Sequence, residues 1–352
     1  MRKMFLCCIM LLLMLVTACS KDTEEAANEE VEEQEEVVVE EEEEPEEPEF
    51  KHIYPLTGIG TNEDVNHRIV SVMVNNHSAA RPQSGLSKAD IVFEILAEAN
   101  ITRFLALFHS EQPEVVGPVR SAREYYFELA NDYGAIYVYH GADQFINDMI
   151  YERNIDYIDG FFNDNDGVLF KRESFRKAPH NSYFQFGEVY RAAEDRGYDI
   201  IADIEPLPFL GEDEQPVGED ATQIDIAYSS SPADVVTYTY DSETGSYFRY
   251  SGGELTVELD TEEPIKVENV FVVETSHRVF DEVGRREIDL KTSGQAILFQ
   301  GGKMQRLEWV NKDGRIIPVK DGQPVGFIPG KTWVNVVPTS PGLDQSVQVS
   351  NE

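Results

Sequence analysis

The chain has 352 residues and a formal net charge of -37. That length can bury the cores of two ordinary domains. The acidic balance argues against a general nucleic-acid surface, so any anion site must be local.

The first segment lies outside any fold. Arg2 and Lys3 precede an apolar run, Met4 to Val16, which is too short to span a bilayer comfortably. Val16-Thr17-Ala18-Cys19 follows, with the form of a lipobox: residues 1–18 read as a signal peptide and Cys19 as the lipidated first residue of the mature chain. Cys7 and Cys8 would leave with the signal, so no thiol remains for disulfides, thiolate metal sites or a cysteine nucleophile. This places the protein at the cell membrane, lipid-anchored on the extracytoplasmic face.

Residues 19–50 read as a disordered acidic tether. Between Asp22 and Glu49 there are 17 acids and no base. Fully extended at about 3.3 Å per residue, this stretch reaches on the order of 90 Å. The remainder, Phe50 to Glu352, still carries 49 acids against 26 Lys plus Arg.

From here strands and helices alternate. Ile69–Val74, Asp90–Leu96 and Ile101–Phe108 read as strands, with Glu98–Asn100 as a tight connection, and Val115–Val119 as a short fourth. On Ile101–Phe108, Phe104, Ala106 and Phe108 share one face. Arg103 shares the other with Leu105 and Leu107, where it needs a partner. Next comes V-G-P-V-R-S-A-R-E, Val116 to Glu124. Ser121-x-x-Glu124 fits a capping box, with Ser121 as the N-cap of a helix running through Tyr126–Tyr133. Arg120 and Arg123 would then flank free backbone N–H groups and form an anion site. The alternative is that each arginine pairs with a carboxylate such as Glu94 or Glu98. Ala135–Tyr139 reads as a strand and Phe145–Arg153 as a helix. His140 and Asp143 fall in the loop between them, where ligand sites of α/β sheets form. Capping by Asp143 with a solvent-facing His140 is the plainer reading. F-K-R-E-S-F-R-K-A-P-H-N, Phe170 to Asn181, gathers Arg172, Arg176, His180 and Asn181 into either a basic lip over an anion or an ion-paired loop.

Pro206–Gly218 reads as a linker. Beyond it β signals dominate: Val235–Tyr240 and Ser246–Tyr250 around a Ser-Glu-Thr-Gly turn, then Leu255–Leu259, Val267–Glu274, Ala296–Gln300, Leu307–Val310 and Thr332–Val337. The predicted fold class is α+β: a mixed α/β domain over 51–205, a linker over 206–221, a mostly β domain over 222–340, and a flexible tail from 341 to 352. Trp333 reads as core and His277 as surface. No H-E-x-x-H, G-x-S-x-G or P-loop motif is present, which withdraws support from zinc protease, α/β-hydrolase and nucleotide phosphatase readings.

Pro55–Gly58 (P-L-T-G), Ala80–Glu94, Ile101–Ala106, Val116–Arg123, Ala178–Asn181 and Gly330–Pro338 resemble the YerB family of bacterial lipoproteins. Ala99-Asn100 stands where glycines are expected in that family. The resemblance implies two associated domains on a lipid anchor and no settled activity. The order of the arginine-bearing strands is also similar to the LytR-CpsA-Psr phosphotransferases, which hold a polyprenyl-linked pyrophosphate with arginines.

Three functions follow. The first is binding of an anionic wall component or lipid-linked precursor at Arg103, Arg120, Ser121, Arg123, His140, Arg172, Arg176, His180 and Asn181, without a cofactor. The second is phosphotransfer with Asp143, Glu94 or His140 as catalytic candidates and Mg2+ as a possible cofactor. The third is a scaffold whose β domain binds a partner protein. Neither the ligand nor the oligomeric state is legible.

Overall fold

The computed structural model describes residues Phe50 to Asn351. The signal peptide, Cys19 and the acidic tether lie outside the described residues. Residues 49–352 form one compact unit.

Strands β1 Val70–Asn75, β2 Ile91–Leu96 and β3 Thr102–Phe108 are buried along their whole lengths. They are followed by β4 Val115–Val116, α1 Glu124–Asp132, β5 Ile136–Tyr139, α2 Gln144–Glu152 and β6 Tyr157–Asp159. β7 Phe170–Arg172, β8 Ser182–Gln185 and α3 Val189–Glu194 complete the first half. The second half contains β9 Gln223–Ala227, β10 Val235–Asp241, β11 Ser246–Ser251, β12 Asn269–Thr275, β13 Ser293–Gln300, β14 Lys303–Lys312, β15 Arg315–Lys320, β16 Thr332–Pro338 and β17 Val347–Ser350.

One large mixed sheet runs through both halves in the order β15-β14-β13-β12-β16-β2-β3-β1-β5-β6. The halves meet where β16 pairs with β2 in parallel, Thr332 opposite Ile91 and Val336 opposite Ile95. A second sheet, β11-β10-β9-β17, packs on one face of the first. Its inward residues alternate as strand geometry requires: Ile224 and Ile226, then Val236 and Tyr238, with Tyr247 and Arg249 on β11. Residues of α1 and α2 cover the other face of the large sheet. The alternation expected on β3 holds, with Phe104, Ala106 and Phe108 in one core and Leu105 and Leu107 in the other.

Strand outweighs helix in both halves, so the fold fits the α+β expectation only loosely: the sheet of the first half is mixed, and α1 and α2 have nine residues each. The tail expected from residue 341 is instead anchored, because β17 hydrogen-bonds to β9 as an edge strand, Val347 opposite Ile226. The stretch read as a linker is packed. Leu207 is buried, Phe209 bridges to Phe327, and Glu219 pairs with Met304. Leu255–Leu259 does not form a full strand; only Glu254–Leu255 pairs with β11. Trp333 is core, as expected. His277 is not simply a surface residue. Its ring is half-buried, its Nδ1 lies 3.0 Å from the Thr275 carbonyl oxygen, and burial pulls its pKa down to about 4.

A buried ion pair joins the two sheets. Glu94 of β2 is fully buried and Arg249 of β11 is 1% exposed. Arg249 Nη2 donates to Glu94 Oε2 at 2.8 Å, and Trp333 Nε1 donates to the same oxygen at 3.0 Å. Thr102 and Asn76 donate to Oε1 at 2.8 and 3.2 Å. The guanidinium lies 4.6 Å from the Trp333 ring centroid and 5.2 Å from that of Phe104. Removing one partner strands a charge in the core, which costs about 3–5 kcal/mol, whereas a well-packed apolar pair is often neutral. Arg249→Met and Glu94→Leu should therefore each lower urea-unfolding stability by about that amount. The double variant should cost less than either single. A simple sum of the single effects would show that the pair does not act as a unit.

Candidate anion site

The site is built where parallel neighbours are forced apart. β1 pairs with β5, and β5 with β6, in parallel. Past Val72 and Val138 the first two separate, and residues 118–122 wedge between them in extended form. Asn75 N donates to Pro118 O, Arg120 N to Met73 O, His140 N to Arg120 O and Ala122 N to Gly141 O. Val119 N donates to Ser182 O on β8. Ligand sites in sheets with parallel strands gather at such carboxyl ends.

The wedge corrects the capping-box expectation. Helix α1 begins at Glu124, its N-cap position is Arg123, and no side chain caps it. The sheet ends claim the backbone on either side of Ser121, which keeps it out of a helical turn. Glu124 instead accepts from Arg153 Nη2 at 2.6 Å.

The expected arginine cluster divides in two. Arg103, 4% exposed, donates to Glu98 Oε2 at 2.6 Å and to the Ser121 carbonyl at 2.9 Å. Arg123 pairs with the other oxygen of Glu98 and donates to the Ala122 carbonyl at 2.5 Å. Arg285, from the second half, pairs with Asp143 at 2.9 Å and with Asp281 at 2.6 Å. Asp143 is close enough to Arg103 and Arg123 to act on both electrostatically. Arg103, Arg123 and Arg285 thus face Glu98, Asp143 and Asp281, while Arg286 reaches the same cluster and donates to the Ala99 carbonyl with no carboxylate partner among the described residues. Asp143 sits at the N-cap position of α2 but its carboxylate makes no cap bond there. Glu94, held in the core, is not brought to the cluster.

Arg120 is left over. It is half-buried beside Arg103, its guanidinium has no protein hydrogen-bond partner or carboxylate within ion-pair distance among the described residues, and its Nε is buried and unsatisfied. Burial and the neighbouring Arg103 charge lower its pKa to about 10, so it stays cationic at neutral pH. An uncompensated, partly desolvated cation is costly unless something outside the chain completes it.

Other polar groups border it. His140 Nδ1 lies 2.7 Å from Ser182 Oγ, and its Nε2 lies 3.2 Å from Arg172 Nη2. An arginine can only donate, so His140 Nε2 accepts and Nδ1 carries the proton. Arg172 also holds Asp164 at 2.7 Å and Asn181 Oδ1 at 2.9 Å. Asn75 accepts from His77 N through Oδ1, which turns its amide nitrogen toward His180 Nδ1 at 2.8 Å. The His180 proton therefore sits on Nε2. His77 accepts from Ala79 N through its own Nδ1 and stacks on His180, centroids 4.8 Å apart. Arg176 donates to the carbonyls of Ala80 and Pro82 and to the Tyr183 hydroxyl, with no carboxylate partner among the described residues. The pKa values of His140 and His180 are both lowered, first by burial and then by neighbouring cations that include Arg120.

The structure therefore gathers Arg120, His140, Arg172, Arg176, His180 and Asn181, and places Arg103, Arg123 and Asp143 in an ion-paired network beside them. Ser121 contributes its carbonyl to Arg103. Sequence reasoning missed His77, Asn75 and Ser182 as site residues. Asn75 ends β1, His77 lies just past it and Ser182 starts β8, and nothing local marks them until the strands are paired. Among the described residues, no three His, Cys, Asp or Glu side chains are grouped to hold a metal ion, and no helix is long and apolar enough to cross a membrane.

Two families match the chain: "Protein of unknown function (DUF3048) N-terminal domain" over residues 56–199 and the corresponding C-terminal domain over residues 224–334. "Putative lipoprotein YerB" of Bacillus subtilis (strain 168) is 46% identical over 286 residues, which is 81% of this chain and 86% of that relative. The crystal structure of YerB protein from Bacillus subtilis is similar with a TM-score of 0.78 at 44% identity, covering 86% of this chain and all of that one. These comparisons give no support to the similarity with LytR-CpsA-Psr phosphotransferases.

The pairing predicts opposite effects for neighbouring arginines. Arg103→Met breaks a buried pair and should lower unfolding stability by about 2–4 kcal/mol. Arg120→Met removes an unpaired charge and should leave stability within about 0.5 kcal/mol of wild type, or raise it. Urea denaturation of both variants decides this; equal losses would mean that Arg120 has an internal partner.

Proposed function

The chain belongs to the YerB family, and from that premise we propose that it is an envelope lipoprotein, anchored through Cys19 on the extracytoplasmic face, that binds a phosphate-bearing anion at Arg120. The observation that carries this reading is the half-buried guanidinium with neither hydrogen-bond partner nor counter-charge among the described residues, beside carboxylates already engaged by Arg103, Arg123 and Arg285. A dianion would supply the missing charge and accept from Arg120. His180 and His77, each with its proton on Nε2, add donors of the right sense. Arg176 and Arg172 raise the local positive potential in a strongly acidic protein.

Binding is favoured over phosphotransfer because the two carboxylates that would serve as base or Mg2+ ligand are engaged. Glu94 neutralises Arg249 and Asp143 neutralises Arg285. A wall polymer and a lipid-linked precursor both carry such an anion; the chemistry recognised is the same.

Thermal unfolding of residues 50–352 tests the reading, since a ligand bound only by the native state raises the melting temperature. Pyrophosphate at millimolar concentration should raise it by several degrees, and the rise should vanish in Arg120→Ala. An absent shift in the wild type, or an equal shift in the variant, sinks the proposal. A shift that appears only with Mg2+ would favour the phosphotransferase reading instead.

The histidines give the binding a pH dependence. In the free protein their pKa values lie below the ordinary histidine value, so both are largely neutral at pH 7. Protonation adds positive charge to the site, and reciprocity requires that a bound anion raise both pKa values. Sulfate, whose own charge is constant in this range, should bind severalfold more tightly at pH 5 than at pH 7.5. A flat profile would remove His140 and His180 from the site.

A further inference from the structure

We propose that the ligand at Arg120 is an amphiphile, a phosphate or pyrophosphate ester of a long apolar chain, whose first carbons lie on Phe161, Phe162 and Phe175. The inference rests on the anion reading above and narrows its ligand class.

These three side chains are 69%, 66% and 59% exposed. Large aromatics left in water are unfavourable, and a group of them beside a polar site marks a contact surface. They do not lie on loose chain. Asp159 Oδ1 accepts from Gly141 N at 2.7 Å and from Phe161 N at 2.8 Å, so one carboxylate fixes both the loop after His140 and the start of the aromatic loop. Asn163 Nδ2 donates to the Asp159 carbonyl at 2.8 Å. Asp166 Oδ1 accepts from the amides of Val168, Leu169 and Phe170, and Asp164 ties the loop back to Arg172. Phe161 and Phe162 pack edge-to-face at 5.3 Å, which orders the pair without covering it.

Phe175 belongs to the neighbouring loop. The Arg176 guanidinium lies 5.5 Å from its ring centroid, and the ring packs 5.9 Å from that of Tyr183, whose hydroxyl accepts from Arg176. One aromatic loop is thus tied to Arg172 through Asp164, and the other carries Arg176 next to Phe175; both cations border the anion site. A purely polar anion would engage the cations and leave the three rings in water. An apolar chain attached to the anion covers them, and because the loops are tied down beforehand little ordering cost opposes the contact.

The test is isothermal titration of residues 50–352 with inorganic pyrophosphate and with farnesyl diphosphate below its micellar concentration. In the wild type the farnesyl ester should bind at least tenfold more tightly. Phe161→Ser/Phe162→Ser should keep the pyrophosphate affinity and lose most of that advantage, and Arg120→Ala should lose both ligands. Equal affinities in the wild type, or an advantage that survives in the phenylalanine variant, overturns the amphiphile and leaves the anion site standing. Failure of both ligands to bind the wild type overturns the anion reading itself, and the inference with it. Vesicles of phosphatidylglycerol provide the last arm. Cosedimentation that depends on Phe161 and Phe162 but not on Arg120 would assign the rings to the bilayer surface and overturn the proposal.

Discussion

The Glu94 carboxylate is the point on which the two halves of the molecule agree. It leaves the middle of a fully buried strand toward the second sheet, where only a strong counter-charge could hold it. Arg249 supplies that charge from a residue 155 positions away, and Trp333 supplies a second donor to the same oxygen from the strand that pairs with Glu94's own. One carboxylate therefore registers β2, β11 and β16 against one another. An ion pair so deep is a weak source of net stability. Its value lies in discrimination, because any alternative docking of the second sheet would leave either Glu94 or Arg249 buried and alone.

The same physics sets the candidate site apart. Among the arginines of the first half, Arg68, Arg103, Arg123, Arg153, Arg172 and Arg191 reach a carboxylate, Arg81, Arg176 and Arg196 donate to neutral oxygens, and Arg120 has neither among the described residues. Acid is abundant in this chain, so an unpaired arginine does not arise from shortage. Arg120 is unpaired because the wedge of residues 118–122 fixes its backbone between β1 and β5, while Glu98 is already shared by Arg103 and Arg123. Arg176 is similarly placed, with its donors committed to carbonyls that carry no net charge. The surplus of positive charge is thus a product of the main-chain path, and it collects at the carboxyl ends of the parallel strands.

Much of this was legible in the sequence, though unevenly. The strands β1, β2 and β3 announce themselves through long apolar runs, and the alternation on β3 correctly separated Phe104 from Leu105. The side chains of the candidate site were legible as a list of cationic residues. Their partition was not. Glu98 and Glu94 look alike in the sequence, and nothing local says that one neutralises two neighbouring arginines while the other crosses to Arg249. Ser121-x-x-Glu124 is a good local capping signal that lost to tertiary hydrogen bonds in which Arg120 N donates to Met73 O and His140 N donates to Arg120 O. The shared sheet escaped notice because a parallel pairing of β16 with β2 joins residues some 240 positions apart, and local periodicity contains no trace of register at that range. The edge strand β17 failed for a related reason: short and half-polar, it is defined by its neighbour.

The exposed phenylalanines bring these strands of argument together. Phe161 and Phe162 follow Asp159, whose carboxylate is spent on orienting the two loops that meet at His140. Burial raises the pKa of Asp159, while the amides of Gly141 and Phe161 work in the opposite direction. The chain thus spends a buried acid on presenting two aromatic rings to solvent, in a loop tied to the one that follows His140, whose main-chain N–H donates to the carbonyl of Arg120, a cation left without a carboxylate among the described residues. Each feature alone is unfavourable for the isolated protein, and folding pressure alone would remove both. Their adjacency makes sense if one ligand relieves both, its charge meeting Arg120 and its apolar part meeting the rings. A molecule with a phosphate at one end and a hydrocarbon chain at the other meets both demands.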